Sequence, residues 1–291
     1  MIKAKCPASC GELFQGYIEG ENLLISYPIN VFSVAKIKEG YSNEKLYPKA
    51  YSAIKETLKY FNFNENEFKN INLDINSDIP IGKGMASSTA DLAATILGTT
   101  KFLNKNINND EIAKICIKIE PTDSIIFNNL TLYDYLKGKY KKEYDINLNL
   151  NVLCIEGKGS IDTIKFNKLN LNKKRKKDEL EYKQSLRFIE KGLYENDMKT
   201  LAKGSSLSAF INQKYLYKKD LDQIYSLAIN CEAYGINTSH SGTVIGILYD
   251  EKLFDKKKFL YEFKSQVNIN KYEKIKEYKI IKGGPSLLEE R

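Results

Sequence analysis

Residues 80 to 89, which read PIGKGMASST, have the types and spacing that bind phosphate. Gly82 and Gly84 allow positive φ angles and let the backbone approach an anion closely. Ser87, Ser88 and Thr89 stand where an apolar helical run begins, and a helix start supplies free N–H groups and partial positive charge. A serine there can also bind a phosphate-held magnesium ion. The alternative is a glycine-rich turn whose hydroxyls cap the helix, but the loop is longer and richer in hydroxyls than a cap requires.

Two carboxylates, Glu120 and Asp123, flank a Pro-Thr turn and form a second candidate site. The helical run over 109–119 ends at Pro121, so Glu120 is expected at the helix end and Asp123 in the loop that follows. In phosphoryl transfer, one carboxylate can hold magnesium while the other meets the acceptor hydroxyl. A helix stop with an aspartate as a turn residue is the alternative.

The elements that must position these residues follow from periodicity. An alternating run, INLDIN, predicts a strand ahead of the phosphate loop, and the small and apolar residues over 90–97 predict a helix after it. Further patterns predict strands over 1–40, 145–165, 244–250 and 272–285, and helices over 48–68, 109–119, 178–230 (two or three) and 257–266. The lysine-dense run 169–177 is the predicted linker, which divides the chain into domains at 1–168 and 169–291.

The phosphate loop resembles the second signature of the GHMP kinases, the family of galacto-, homoserine, mevalonate and phosphomevalonate kinases. The residues in register with that signature are Pro80, Gly84, Met85, Ala86, Ser87, Ser88 and Ala90. The resemblance implies an α+β fold, with an N-terminal domain like ribosomal protein S5 that binds ATP and a ferredoxin-like C-terminal domain. It implies that ATP is held by Pro80, Ile81, Gly82, Lys83, Gly84, Met85, Ala86, Ser87, Ser88 and Thr89.

Two further segments resemble the other family signatures. CPASCGELFQG, from Cys6 to Gly16, is similar to the first, which builds the acceptor pocket, and GINTSHSGT, from Gly235 to Thr243, is similar to the third. The resemblance implies that the acceptor is bound by Ser9, Cys10, Gly11, Glu12, Ser239, His240, Ser241, Gly242 and Thr243. His240 is the only histidine, and a lone histidine is more often structural than catalytic. The first segment is most similar to family members that phosphorylate L-threonine for cobalamin synthesis, with homoserine kinases as the alternative.

The family resemblance also divides the carboxylates by role. It implies Asp123 as the catalytic base and Ser88 with Glu120 as the magnesium ligands, with Glu111 in reserve because Glu120 is closer to the base than is usual. Homoserine kinases lack an aspartate at this place, so Asp123 favours the threonine branch. Ser9 stands where mevalonate and galactokinases have a cation, so the pKa of the base is expected to be less depressed.

Composition limits the remaining classes of function. The net charge is +8, but the lysines are spread along the chain, and the dense run Lys173 to Lys177 is predicted to be a solvated face. We therefore expect a small-molecule kinase that binds no nucleic acid, with a basic RNA-binding protein as the distant alternative. The sequence has no apolar run of 18 residues and no apolar signal core, and its five cysteines are scattered. A cytoplasmic monomer or homodimer without membrane contact is expected.

Overall fold

The computed structural model describes residues 1–161 and 171–288 and has an α+β architecture. The strands are β1 (Ile2–Ile18), β2 (Glu21–Glu39), β3 (Ile71–Ser77), β4 (Leu130–Asp134), β5 (Lys141–Tyr144), β6 (Asn151–Gly157), β7 (Gly235–Thr238), β8 (Val244–Tyr249), β9 (Tyr272–Lys279) and β10 (Ser286–Leu287). The helices are α1 (Pro48–Tyr60), α2 (Ser87–Phe102), α3 (Asn109–Ile119), α4 (Asn172–Arg175), α5 (Glu179–Glu195), α6 (Met198–Asn212), α7 (Leu221–Asn230) and α8 (Lys256–Gln266).

One sheet connects both ends of the chain. Its strand order is β5-β4-β2-β1-β7-β8-β6-β9, with β3 also paired to β2 and β10 to β1. The hairpin of β1 and β2 turns at Glu19 and Gly20, both at positive φ, and pairs from Ile2 opposite Ile37 to Ile18 opposite Glu21. Strand β1 meets β7 where Glu12 lies opposite Thr238. This pairing brings the N-terminal segment beside the loop at 239–243.

Helix α2 lies on the hairpin because its buried face consists of small residues. Ala90, Ala93 and Ala94 are buried, and a β-carbon added at Gly98 would lie 3.0 Å from Ile37 Cγ1. This close packing confirms the small-residue helix predicted from the sequence. The side chains of α1, α3 and the hairpin share the same core, whereas α7 and α8 pack on a second core with β6, β7, β8 and β9. The start of α2 is therefore held rigidly at the end of the sheet.

Several elements differ from the sequence predictions. The helix predicted over 48–68 ends at Tyr60, and a 3-10 turn over Glu65–Asn70 leads into β3. Strands β4 and β5 were not predicted, because they are short and lack a clear alternation. The basic run 173–177 is helical, not a linker, and it buries Arg175.

The boundary between the predicted domains lies outside the described residues. So do the predicted strand beyond residue 161 and the start of the predicted linker at Leu169. Strand β6, predicted to close the first domain, pairs with β8 and β9, which come from the C-terminal half. The division at residue 168 stays a prediction. No helix in the described ranges is both long and apolar enough to cross a membrane.

Candidate active site

The phosphate-type loop ends in a helix start that no side chain caps. Gly82 and Gly84 have φ angles of 72° and 79°, and Ala86, at φ 59°, is the N-cap of α2. The sequence alternative, a serine or threonine N-cap, is therefore wrong. Since alanine offers no acceptor, the first N–H groups of α2 remain available to an anion in the cleft.

The loop forms one wall of a cleft of about 230 Å³. The predicted site residues that line it are Glu12, Ile81, Gly82, Gly84, Met85, Ala86, Ser87, Ser88, Thr89, Glu120, Asp123 and Ser241. The cleft therefore brings together residues from all three segments that resemble family signatures and from the turn at 120–123. Ile81 is 86% exposed at its mouth. Apolar exposure at this position suits contact with a bound molecule.

The other predicted residues lie behind the cleft wall and support it. Ser9 N–H donates to the Met85 carbonyl at 3.1 Å, and Thr243 N–H donates to the Lys83 carbonyl at 2.9 Å. A β-carbon added at Gly84 would lie 2.4 Å from the Ser239 β-carbon. Gly11 and Gly242 are packed as tightly against neighbouring backbone, and neither they nor Pro80, Cys10 and His240 line the cleft. The backbone hydrogen bonds of Ser9 and Thr243 hold the loop in position.

The ammonium group of Lys83 points away from the cleft. It donates to the carbonyls of Gly157 and Gly159 at 2.9 and 2.8 Å and pairs with Glu273 at 2.6 Å. The side chain is buried. The Lys83 side chain therefore does not face the cleft, where it was expected to help hold ATP. It instead fastens the loop to the end of β6 and to β9.

Asp123 lies beside the helix start and contacts Thr89 twice. The Thr89 hydroxyl donates to Asp123 Oδ2 at 3.1 Å and accepts from the Asp123 N–H at 3.2 Å. Burial raises the pKa of Asp123 to about 6, with a further rise from the charge of Glu120, while the Thr89 hydrogen bond opposes the rise. This carboxylate is ionised at neutral pH, yet it is a stronger base than an exposed aspartate.

Ser88 and Glu120 converge on a cation. The ammonium of Lys49 lies 2.6 Å from Glu120 Oε2 and 3.4 Å from Ser88 Oγ. Two oxygens that share one ammonium fit a small divalent ion, since Mg²⁺ is bound through one or two protein oxygens together with phosphates and water. No group of three or more His, Cys, Asp or Glu side chains in the described ranges is placed to hold a metal ion.

Glu111, the reserve ligand, lies at the other end of α3. It forms a capping box with Asn108 and accepts a hydrogen bond from Tyr60 at 2.5 Å. Nine residues of helix separate it from Glu120, which is about 13 Å. The reserve role is therefore wrong for Glu111.

A buried set of charges adjoins the acceptor side of the cleft. Glu12 Oε2 accepts from the His240 N–H at 2.5 Å, and Lys218 donates to the Ser239 carbonyl at 3.1 Å. Arg175 Nη1 lies 3.4 Å from Tyr135 OH, and the Tyr135 ring contacts the ring of His240 edge-on at 4.6 Å. Among the residues that the structure describes, Arg175 Nε is buried without a hydrogen-bond partner.

Burial and the neighbouring charges both shift the pKa values of these groups. Burial raises the pKa of Glu12 well above its usual range, with a further rise from the charge of Asp123. Burial lowers the pKa of Lys218 to about 8, and it lowers the pKa of His240 well below its usual value, with Arg175 and Lys218 adding to that effect. His240 is therefore neutral at pH 7 and lies behind the cleft wall.

Sequence reasoning missed Arg175, Lys218 and Lys49. Arg175 is one of three arginines in a lysine-rich chain, which was the available signal, because an arginine is preferred where a planar anion is bound. Lys218 and Lys49 lie among many other lysines, and nothing in the sequence singles them out.

Comparisons with known proteins agree with this geometry. The family described as "GHMP kinases N terminal domain" matches residues 48–127. An L-threonine kinase of Citrobacter freundii is 30% identical over 255 residues, which cover 88% of both chains. An L-threonine kinase of Salmonella typhimurium is 32% identical, over 87% of this chain and 84% of that protein. Mevalonate diphosphate decarboxylase from Staphylococcus aureus superposes with a TM-score of 0.72 over 99% of both chains at 13% identity, so it shows the fold alone. The chain belongs to the GHMP kinases.

Proposed function

We propose that this enzyme transfers the γ-phosphoryl group of ATP to the side-chain hydroxyl of L-threonine and releases O-phospho-L-threonine. The observation that carries the proposal is the buried set of opposite charges, Glu12 against Lys218 and Arg175, beside the carboxylate of Asp123. A free amino acid carries an ammonium and a carboxylate. A pocket that removes these two charged groups from water must supply an anionic partner for the ammonium and a cationic partner for the carboxylate.

The nucleotide half of the reaction uses the α2 start. The uncapped N–H groups of residues 87 to 89 would bind the phosphate oxygens, and the positive φ at Gly82 and Gly84 lets the backbone approach them. Ser88 and Glu120 would hold Mg²⁺, which would neutralise phosphate charge when bound. Their convergence on the Lys49 ammonium supports this assignment.

The acceptor half centres on Asp123. In the proposed reaction the threonine oxygen forms a bond to the γ-phosphorus, the bond from phosphorus to the leaving ADP oxygen breaks, and the hydroxyl proton passes to Asp123. A base with a pKa near 6 is charged at pH 7 and accepts a proton more readily than an ordinary aspartate. The hydrogen bond from Thr89 holds its Oδ2 in place.

The remaining charges would orient the amino acid. Glu12 is the partner for the ammonium group, and its position is held by the His240 N–H. Lys218 and Arg175 are the partners for the carboxylate, and the unpaired Arg175 Nε supports the presence of a ligand acceptor. This arrangement would point the side-chain hydroxyl toward Asp123.

An acceptor panel tests the proposal. The purified chain is assayed for ADP release with ATP, Mg²⁺ and, in turn, L-threonine, L-homoserine, L-serine, D-threonine and mevalonate. We expect the highest kcat/KM with L-threonine. Homoserine kinase is the second candidate, favoured by the PAS-x-x-x-L pattern of the N-terminal motif. A higher kcat/KM with L-homoserine would refute L-threonine as the substrate and leave the kinase family unaffected.

Replacement of the base separates chemistry from binding. Asp123→Asn should lower kcat by about 10²- to 10⁴-fold, because it removes a general base, while ADP binding measured by calorimetry changes little. Asp74→Asn, on the exposed face of β3, is the matched control and should keep wild-type turnover. Near-normal turnover of Asp123→Asn would show that Asp123 is not the base.

The role of the product in cobalamin synthesis and a cytoplasmic location stay part of the proposal.

A further inference from the structure

Lys49 is the cleft residue to which neither the family signatures nor the proposed mechanism gives a role. It follows Pro48 at the start of α1, and its side chain reaches the first turn of α2 and the C-terminal end of α3. Within the described part of the chain it is the only cationic side chain that lines the cleft. Its ammonium sits between the two oxygens that we assign to Mg²⁺, at 2.6 and 3.4 Å.

The surroundings of Lys49 are acidic and partly buried. The Glu120 side chain is only 9% exposed. Asp91, one turn after Ser88, has a raised pKa because it is buried and lies near Glu120, and the charge of Lys49 opposes that rise. Without a cation, the two carboxylates would repel each other. The Lys49 side chain itself is 49% exposed, so its ion pair with Glu120 is weak and easily exchanged.

We propose that Lys49 is a positioning residue that takes the place of the metal ion in the nucleotide-free enzyme. Its ammonium keeps Ser88 Oγ and Glu120 Oε2 converged, and it leaves for solvent when a divalent ion binds. The same two oxygens cannot hold both groups at short distance, so the half-exposed ammonium would have to leave them for Mg²⁺ to bind. This inference rests on the proposed kinase function, because the metal site is part of that proposal. It predicts that Lys49 and the metal ion compete.

The test measures metal binding without turnover. Mn²⁺, a paramagnetic substitute for Mg²⁺, is titrated into the full-length, nucleotide-free protein, and free Mn²⁺ is followed by electron paramagnetic resonance. Lys49→Met should bind Mn²⁺ about three- to five-fold more tightly than the wild type, because Mn²⁺ then binds without first breaking the exposed ion pair of Lys49 with Glu120. Lys55→Met is the matched control. Lys55 lies on the same helix and pairs with Glu44 at 2.6 Å, so its loss should leave Mn²⁺ affinity unchanged.

A third variant separates the two proposals. Glu120→Gln should weaken Mn²⁺ binding by about tenfold or more, since it removes the charged ligand. If Glu120→Gln weakens Mn²⁺ binding and Lys49→Met leaves it unchanged or weaker, competition by Lys49 is refuted and the metal site stands. If Glu120→Gln binds Mn²⁺ like the wild type, the metal site and the inference built on it both fall. Because Lys49 is half exposed, Lys49→Met should fold, and its circular dichroism and thermal midpoint verify that.

Discussion

Replacement of Asp123 by asparagine should make the protein more stable at pH 8 while it lowers turnover by orders of magnitude. The pKa of Asp123 is raised from 3.8 to about 6. A carboxyl with a raised pKa is protonated more readily in the folded than in the unfolded chain. Its ionised form therefore opposes folding, and that penalty is absent below pH 3.8 and fully present above pH 6. The pKa shift of about two units corresponds to a stabilisation of Asp123→Asn by about 3 kcal/mol at most. The variant also weakens the charged hydrogen bond from Thr89, which leaves a net stabilisation of about 1 to 2 kcal/mol.

Urea denaturation of both proteins at pH 5 and pH 8 provides the measurement. The free energy of unfolding of Asp123→Asn should exceed that of the wild type at pH 8, and the gap should shrink at pH 5, where the wild-type carboxyl is mostly protonated. Asp74→Asn, which removes an exposed charge, should show no such pH-dependent gap. A variant that is less stable than the wild type at pH 8, or a gap that is equal at the two pH values, would refute burial as the origin of the shift.

Three further outcomes follow from the same contacts. The acid limb of the kcat profile should lie near pH 6, and Thr89→Val should move it upward by about one unit, because the hydroxyl that lowers the pKa of Asp123 is lost. Gly84→Ala should destabilise the protein by about 2 kcal/mol or more and weaken ADP binding, because the added β-carbon would lie 2.4 Å from the Ser239 β-carbon. Gly20→Ala is the control: Gly20 has a similar φ but no neighbour within 4 Å, so this change should lower the free energy of unfolding less. The KM for L-threonine should rise above pH 8 as Lys218 loses its proton, and Lys218→Met should raise KM about tenfold at pH 7 and abolish that pH dependence.

The parts of the site that could be predicted from sequence are local. Gly82, Gly84 and Ser88 lie within seven residues, and their role follows from a strand, a turn and a helix start that neighbouring residues determine. Glu120 and Asp123 flank a proline that ends a helix, which is again a short-range effect. Such patterns can be recognised in the sequence because the residues that define them are neighbours in the chain, although distant segments then hold the folded loop in place.

The parts that could not be predicted depend on long-range packing. Arg175 lies in a basic run whose composition indicates solvent exposure, yet it is only 6% exposed because α4 packs against β1. Lys83 belongs to the phosphate loop by position, but the end of β6, the adjacent Gly159 and β9 each supply one oxygen, and these hold its ammonium away from the cleft. In both cases the decisive partners are more than 70 residues distant.

The N-terminal motif lacks the Lys or Arg that mevalonate kinases and galactokinases carry in it. Ser9, which stands in its place, is buried, and its N–H fastens the phosphate loop instead. Among the described residues no cation lies in contact with Asp123, which agrees with its raised pKa. Two positive charges lie near the site: Lys49 lines the cleft and pairs with Glu120, and Lys218 donates to the Ser239 carbonyl behind the cleft wall. A carboxylate without a cationic neighbour keeps a higher pKa and binds protons better, so the loss of the motif's cation is compatible with the base role that we propose for Asp123.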